Sequence, residues 1–123
     1  MIEIWGDGTR TRSFMYIDDC IEGIDHIMSS DITEPLNLGS SKLVTINELV
    51  EIVEGIANVT LERKHDMLAP QGVHGRNSDN TLIQEKLGWQ PSIPLSNGMA
   101  RTYAWILEQY KAATCARSHE ACG

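Results

Sequence analysis

The stretch GDGTRTRSFMYIDDCIEGIDHIM, Gly6 to Met28, decides how this chain is read. It opens on a glycine turn, passes two arginines two residues apart, and changes its period near Ile17. Before that point SFMYI predicts a strand over 13–17. After it, Ile17, Cys20, Ile21, Ile24, Ile27 and Met28 recur at three and four residues, one face of a helix over 18–29. Asp18 and Asp19 stand at the helix start, where carboxylates cap free N–H groups and favour the positive end of the dipole. A strand running straight into an amphipathic helix points to a mixed α/β unit.

The flanking sequence repeats that alternation. IEIW, residues 2–5, reads as a strand ended by the GDG turn. Pro35 blocks helix, and 36–38 reads as a short strand closed by Gly39. TINELVEIVEGIA, 45–57, carries a Thr45–Glu48 capping box and a stripe of Ile46, Leu49, Val50, Val53 and Ile56. VTLERKH predicts a strand over 59–64. Residues 66–80 have no periodicity and form a loop longer than the usual connection, and such loops are more often functional than idle. A short helix over 80–87 stops at Gly88. A last helix starts at Ser96 or Asn97, with Met99, Tyr103, Ile106 and Tyr110 as its core face. Past Ala112 the apolar pattern ends. The expectation is one small α/β domain over 1–112, of short strands and about four helices, with a flexible tail over 113–123.

Bulk properties narrow the function. The 123 residues carry a net charge of −7, which argues against nucleic acid and anionic membranes as partners. No apolar stretch approaches the roughly 20 residues of a membrane span. The N-terminus lacks the features of a signal peptide, so a cytoplasmic protein is expected. Cys20, Cys115 and Cys122 show no C-x-x-C spacing. Cys20 reads as a buried thiol on the helix face, and the other two fall in a polar tail where a disulfide or metal site is hard to justify. His65 and His74 have no metal-ligand partner at helical spacing, and His26 reads as structural. Trp5, Trp89 and Trp105 read as packing residues.

Against this acidic background a few arginines stand out. If 9–14 is extended, Arg10 and Arg12 share one side of the strand. Two guanidiniums side by side repel unless an anion lies between them, and a diphosphate suits their planar forks. The alternative is that one or both pair with Asp7, Asp18 or Asp19. Arg76, in GRNSDN, sits on the long loop after Gly75 and is either a ligand contact or solvated. Ser78, Asp79 and Asn80 are candidates to cap the following helix.

Three segments, in order, carry a resemblance: WGDGTRTRSFMYIDDCIEGI, EPLNLGSSKLVTINELVEIV and GVHGRNSDNTLIQEKLGWQPSIPLSNGMARTYAWI. Over about residues 2–110 the chain resembles the C-terminal part of extended short-chain dehydrogenases/reductases, the NAD-dependent nucleotide-sugar epimerases and dehydratases. Within them the TRSF form and GRNSDN with LGWQP are most similar to the GDP-mannose 3,5-epimerase branch. The resemblance implies a substrate-binding region that packs on a Rossmann domain holding NAD. It implies that Arg12 contacts the phosphates of a nucleotide sugar such as GDP-mannose, with Thr11 and position 10 lining the same site. Arg76 would close on the diphosphate from the other side, and Asp79 would serve the ribose or the structure. Position 10 is commonly Gln in the family and is Arg10 here. These 123 residues contain neither the dinucleotide-binding glycine fingerprint nor a Tyr-x-x-x-Lys pair: four residues after Tyr16, Tyr103 and Tyr110 stand Cys20, Leu107 and Thr114. The implied behaviour is nucleotide-sugar binding without NAD and without turnover by this chain alone. Faces meant for the Rossmann domain would be exposed and favour a homo-oligomer or a Rossmann-domain partner. A scaffold that kept the fold and lost the ligand is the alternative of another class.

Overall fold

A computed structural model describes residues 1–120. In chain order the elements are β1 (Ile2–Trp5), β2 (Thr11–Arg12), α1 (Ile17–Met28), β3 (Val44–Thr45), α2 (Ile46–Ala57), β4 (Arg63–Asp66), α3 (Thr81–Leu87) and α4 (Leu95–Glu120). The strands form two separate pairs. β1 lies parallel to β4, with Ile2 opposite Arg63 and Trp5 opposite Asp66. β2 lies antiparallel to β3, with Thr11 opposite Thr45 and Arg12 opposite Val44. The small α/β unit with four helices among the described residues is the expected fold class.

Local chemistry explains the helices. At α2 the Thr45 hydroxyl accepts from the Glu48 N–H at 3.1 Å, while the Glu48 carboxylate accepts from the Thr45 N–H at 2.7 Å. Both orphan donors are thereby satisfied, as the capping box predicts. Asn58 and Gly88 end α2 and α3 in the left-handed conformation. Such residues close the last turn by returning an N–H to it.

The strand expectations need correction. Residues 13–16 are not a strand, because β2 pairs only over Thr11–Arg12 and β3 is itself two residues long. Residues 36–38 also lack a strand partner. The strand expected over 59–64 lies at Arg63–Asp66 instead, where Ile2–Trp5 fixes its register. The last helix does not stop near Ala112; α4 continues to Glu120, and its described side chains over 111–117 are exposed. Cys115 is a free, exposed thiol, and Cys122 lies outside the described residues.

Helix α1 has the expected period but the opposite orientation. Ile17, Ile21, Ile24 and Met28 are 56%, 59%, 46% and 79% exposed, so its apolar stripe faces outward. Cys20 is only half-buried. The face turned inward holds Asp19 and Gly23. The Asp19 carboxylate, 1% exposed, does not cap its own helix. It accepts from the backbone N–H groups of Ser92 at 3.1 Å and Ile93 at 2.8 Å. A Cβ on Gly23 would stand 2.6 Å from Leu38 Cδ1 and 2.8 Å from Trp89 Cη2, so only glycine lets the helix approach them. His26 stacks at 5.6 Å on Trp89, whose indole N–H donates to Glu22 at 3.1 Å. A buried carboxylate and a glycine contact therefore set which face docks, and the isoleucines are left for something else.

Ile4, Val50 and Ile83 are the buried large apolar side chains among the described residues, while many others stay open to solvent. On α4, Ile106 and Tyr110 are 53% and 69% exposed, and beyond Met99 the half-buried face narrows to Tyr103 and Leu107. Trp5 and Trp105, expected to pack, are 58% and 62% exposed.

Glu54 ties the α2–β4 connection together. It accepts from the Leu61 N–H at 2.9 Å and pairs with Arg63 at 2.8 Å. The backbone bond first, and the guanidinium second, hold its carboxyl below the ordinary range. A lowered folded-state value contributes stability above the unfolded value and loses it as pH falls through the folded one. The melting temperature should therefore fall as pH drops below about 4, the ordinary carboxylate region. In Glu54→Gln that acid-side slope should be shallower, and an unchanged slope in thermal melts from pH 6 to 3 would refute the assignment.

Candidate functional site

The site grows from the turn between β1 and β2. Gly6 and Gly8 take positive φ, 81° and 77°, which returns the chain toward α2. Asn47, at the start of α2, clamps that turn by donating its side-chain amide to the Asp7 carbonyl at 3.1 Å. Asp7 itself accepts from the Thr9 hydroxyl at 2.6 Å and the Thr9 N–H at 3.0 Å. Those bonds, the hydroxyl first, hold its carboxyl below the ordinary range.

Arg10 and Arg12 then emerge on the same side of the strand and line one cavity of about 230 Å³ with Trp5, Ile46, Pro70, Gln71 and Gly72. Neither arginine pairs with Asp7, Asp18 or Asp19. Asp18 lies 3.7 Å from Arg101, and Asp19 serves the backbone. Arg10 donates Nε–H to Gln71 Oε1 at 2.6 Å and Nη1–H to the Gly72 carbonyl. Arg12 donates Nη1–H to the carbonyls of Thr11 at 2.7 Å and Val73 at 2.8 Å. Every one of these acceptors is neutral. The Arg10 charge also reaches Asp7 and helps to lower its carboxyl, so it is offset in part, while no hydrogen bond or ion pair joins either guanidinium to a carboxylate among the described residues.

Thr11 faces the other way. Its N–H donates to the His74 carbonyl at 2.9 Å, and its hydroxyl lies 3.4 Å from the same oxygen. Arg76 is exposed and makes no hydrogen bond or ion pair among the described residues. It lines a separate cavity of about 300 Å³ with Ser13, Asn37, Leu38, Gly39, Asn77 and Ser78. The structure thus brings Arg10 and Arg12 together and sets Arg76 beside Ser13, on the Thr11 side of the strand. Asp79 accepts from the Thr81 hydroxyl at 2.6 Å and the Thr81 N–H at 3.1 Å. These bonds, again the hydroxyl first, lower its carboxyl below the ordinary range. Asp79 holds the first turn of α3, and Asn80 ties it to the Gly39 carbonyl at 2.8 Å.

Sequence reasoning missed Trp5 and Gln71. Trp5 is an exposed ring that lines the arginine cavity, and its place at the end of an alternating strand gave no hint that the ring would stand open. Among the described residues no three His, Cys, Asp or Glu side chains are grouped to hold a metal, and His65 sits 3.4 Å from Asn47 Oδ1. No described helix is long and apolar enough to cross a membrane.

Proteins similar to this chain in sequence and in fold include nucleotide-sugar epimerases. Residues 1–102 match the family described as GDP-mannose 4,6 dehydratase, and the chain belongs to that family of extended short-chain dehydrogenases/reductases. It is 50% identical over 107 residues to GDP-mannose 3,5-epimerase 1 of Oryza sativa subsp. indica, covering 87% of this chain and 28% of that protein. The GDP-mannose 3,5-epimerase of Arabidopsis thaliana is likewise 50% identical over 107 residues. Among solved structures, a UDP-glucose 4-epimerase of Thermotoga maritima with UDP-glucose superposes with a TM-score of 0.83 at 27% identity, over 89% of this chain and 35% of that one. A UDP-glucuronic acid 4-epimerase of Bacillus cereus, in complex with UDP-glucuronic acid and NAD, superposes at 0.80 with 29% identity over 88% and 35%. The chain thus spans about a third or less of the length of these relatives.

Proposed function

We propose that this chain is a nucleotide-diphospho-sugar-binding unit of the GDP-mannose type, with Arg12 and Arg10 gripping the diphosphate. The observation that carries this reading is the pair of guanidiniums in one cavity with neutral acceptors only. A cationic pair without an ion-paired carboxylate favours a dianionic linker, and charge-assisted bonds to phosphate are about twice as strong as neutral ones. Thr11 orients the strand, Arg76 offers a further cation from a separate cavity that its loop would have to bring to the ligand, and Asp79 shapes the end of that loop. Trp5 offers a flat face at the rim.

NAD belongs to the longer relatives in this reading. The residues present do not fit it, because no glycine-rich dinucleotide turn and no Tyr-x-x-x-Lys pair occur among the 123. What these residues supply is binding and orientation of the sugar nucleotide, in a cytoplasmic setting, without turnover by this chain alone. Calorimetry with GDP-mannose up to millimolar concentration tests the reading. Heat from the parent chain, lost in an Arg12→Ala and Arg76→Ala double variant, is expected. A silent parent chain overturns it and favours a scaffold.

The outward stripe of α1 supports a second reading, compatible with the first, in which this chain associates. Ile17, Ile21, Ile24 and Met28 are too many apolar side chains on one helix face to be scattered exposure. A homo-oligomer, or docking on a Rossmann-domain protein, would cover them. Size-exclusion chromatography at micromolar concentration should show a dimer or larger species, and Ile21→Lys with Ile24→Lys should shift it to monomer. A parent chain already monomeric would count against self-association.

A further inference from the structure

The arginine pair also grips the loop that covers it. Arg10 reaches Gln71 and Gly72, Arg12 reaches Val73, and Thr11 reaches His74, so three consecutive residues at β2 bond four consecutive loop residues. The seat is shaped for this contact. The Gln71 amide lies over Gly6 where any Cβ would overlap it, and the Thr11 hydroxyl lies against Gly75 in the same way.

The way the donors are divided matters more. Both bonds of Arg12, one to the Thr11 carbonyl and one to the Val73 carbonyl of the loop, come from Nη1, and its Nε and Nη2 donate to no described residue. Nε and Nη2 form the side edge of a guanidinium, the edge able to hold two oxygens of one phosphate. Arg10 is held through Nε and Nη1 and keeps Nη2. The loop therefore turns and fixes each guanidinium without using up its donors.

We propose that residues 71–74 are an anion-coupled strap. The loop orients Arg10 and Arg12 for a phosphate or diphosphate group, and the bound anion holds the loop down in return. Gln71 is the positioning residue: it touches Arg10, not the anion. The inference rests on the reading that this pair binds a phosphorylated ligand. Its sign follows from linkage, since a loop that improves anion binding must be stabilised by the anion to the same degree. An anion that instead stripped the arginines from their carbonyls would free the loop.

The test uses the whole chain, inorganic pyrophosphate as probe, calorimetry for affinity and amide hydrogen exchange for the loop. Pyrophosphate should slow exchange across 71–76 and at the Thr11 amide, whose acceptor is the His74 carbonyl. Gln71→Ala should bind pyrophosphate about 3–10-fold more weakly, the scale of one lost hydrogen bond, and should exchange faster over the same segment. Gln71→Glu keeps an acceptor for Arg10. It should retain slow exchange without ligand, yet bind more weakly than the parent because its carboxylate cancels part of the charge. Thermal melts check that both exposed-loop variants fold. Binding with unchanged or faster loop exchange, or parent affinity in Gln71→Ala, overturns the strap and leaves the anion reading standing. Absence of pyrophosphate binding by the parent overturns both.

Discussion

Asp19→Ala should destabilise the chain by about 3 kcal/mol, the scale of leaving two partly buried N–H groups without an acceptor. For a chain of this length that is a fall of about 10 °C in melting temperature. The single carboxylate oxygen Oδ2 accepts from both Ser92 and Ile93, so one truncation orphans both donors. It also removes the buried polar contact that docks α1, beside which Gly23 packs on Leu38 and Trp89 and the exposed Glu22 accepts from Trp89. The core holds few large apolar side chains to compensate. Asp19→Asn keeps one carbonyl acceptor and should lose roughly half as much, since hydrogen bonds to a charged group exceed neutral ones by about that factor. Melts of the two variants beside the parent decide it. A loss under about 1 kcal/mol in Asp19→Ala would mean that water takes over the two amides, and the anchor role would fall.

Asp19 also shows where sequence reading reaches its limit. The three-and-four spacing of α1 was legible, as were the Thr45–Glu48 box and the Gly88 stop, because each is a local property of the chain. The direction in which α1 faces was not. Periodicity says that isoleucines share a face but not that a partner covers it, and Asp19 looks like an ordinary helix-start carboxylate until Ser92 and Ile93, more than seventy residues on, turn out to be its donors. The strands failed for a related reason. Residues 13–16 have strand chemistry but no neighbour, and the parallel partner of Ile2–Trp5 is shifted by tertiary register to Arg63–Asp66, past the β-branched residues 59 and 60 that carried the strand signal. At the site, the arginines were readable as misplaced cations in an acidic chain. Their acceptors were not, since carbonyls of residues 72 and 73 have no sequence signature.

Arg12→Ala should weaken GDP-mannose binding by about 10–100-fold, the range set by losing hydrogen bonds to a charged group. Arg76→Ala should cost less, because Arg76 lines a separate cavity with Ser13 instead of the one shared by Arg10 and Arg12. Arg12→Lys separates charge from geometry. An ammonium keeps the positive charge but cannot hold the Val73 carbonyl from one nitrogen while presenting a two-pronged edge from the others. If the fork matters, lysine should recover only a small part of the lost affinity. If charge alone matters, it should recover nearly all of it, and binding in parent and variant should weaken alike as salt rises, because exposed charges are screened over about 10 Å at 0.1 M ionic strength. The opposite ranking, with Arg76→Ala the more damaging change, would move the anion to the Ser13–Arg76 cavity and leave Arg10 and Arg12 as fasteners of the loop.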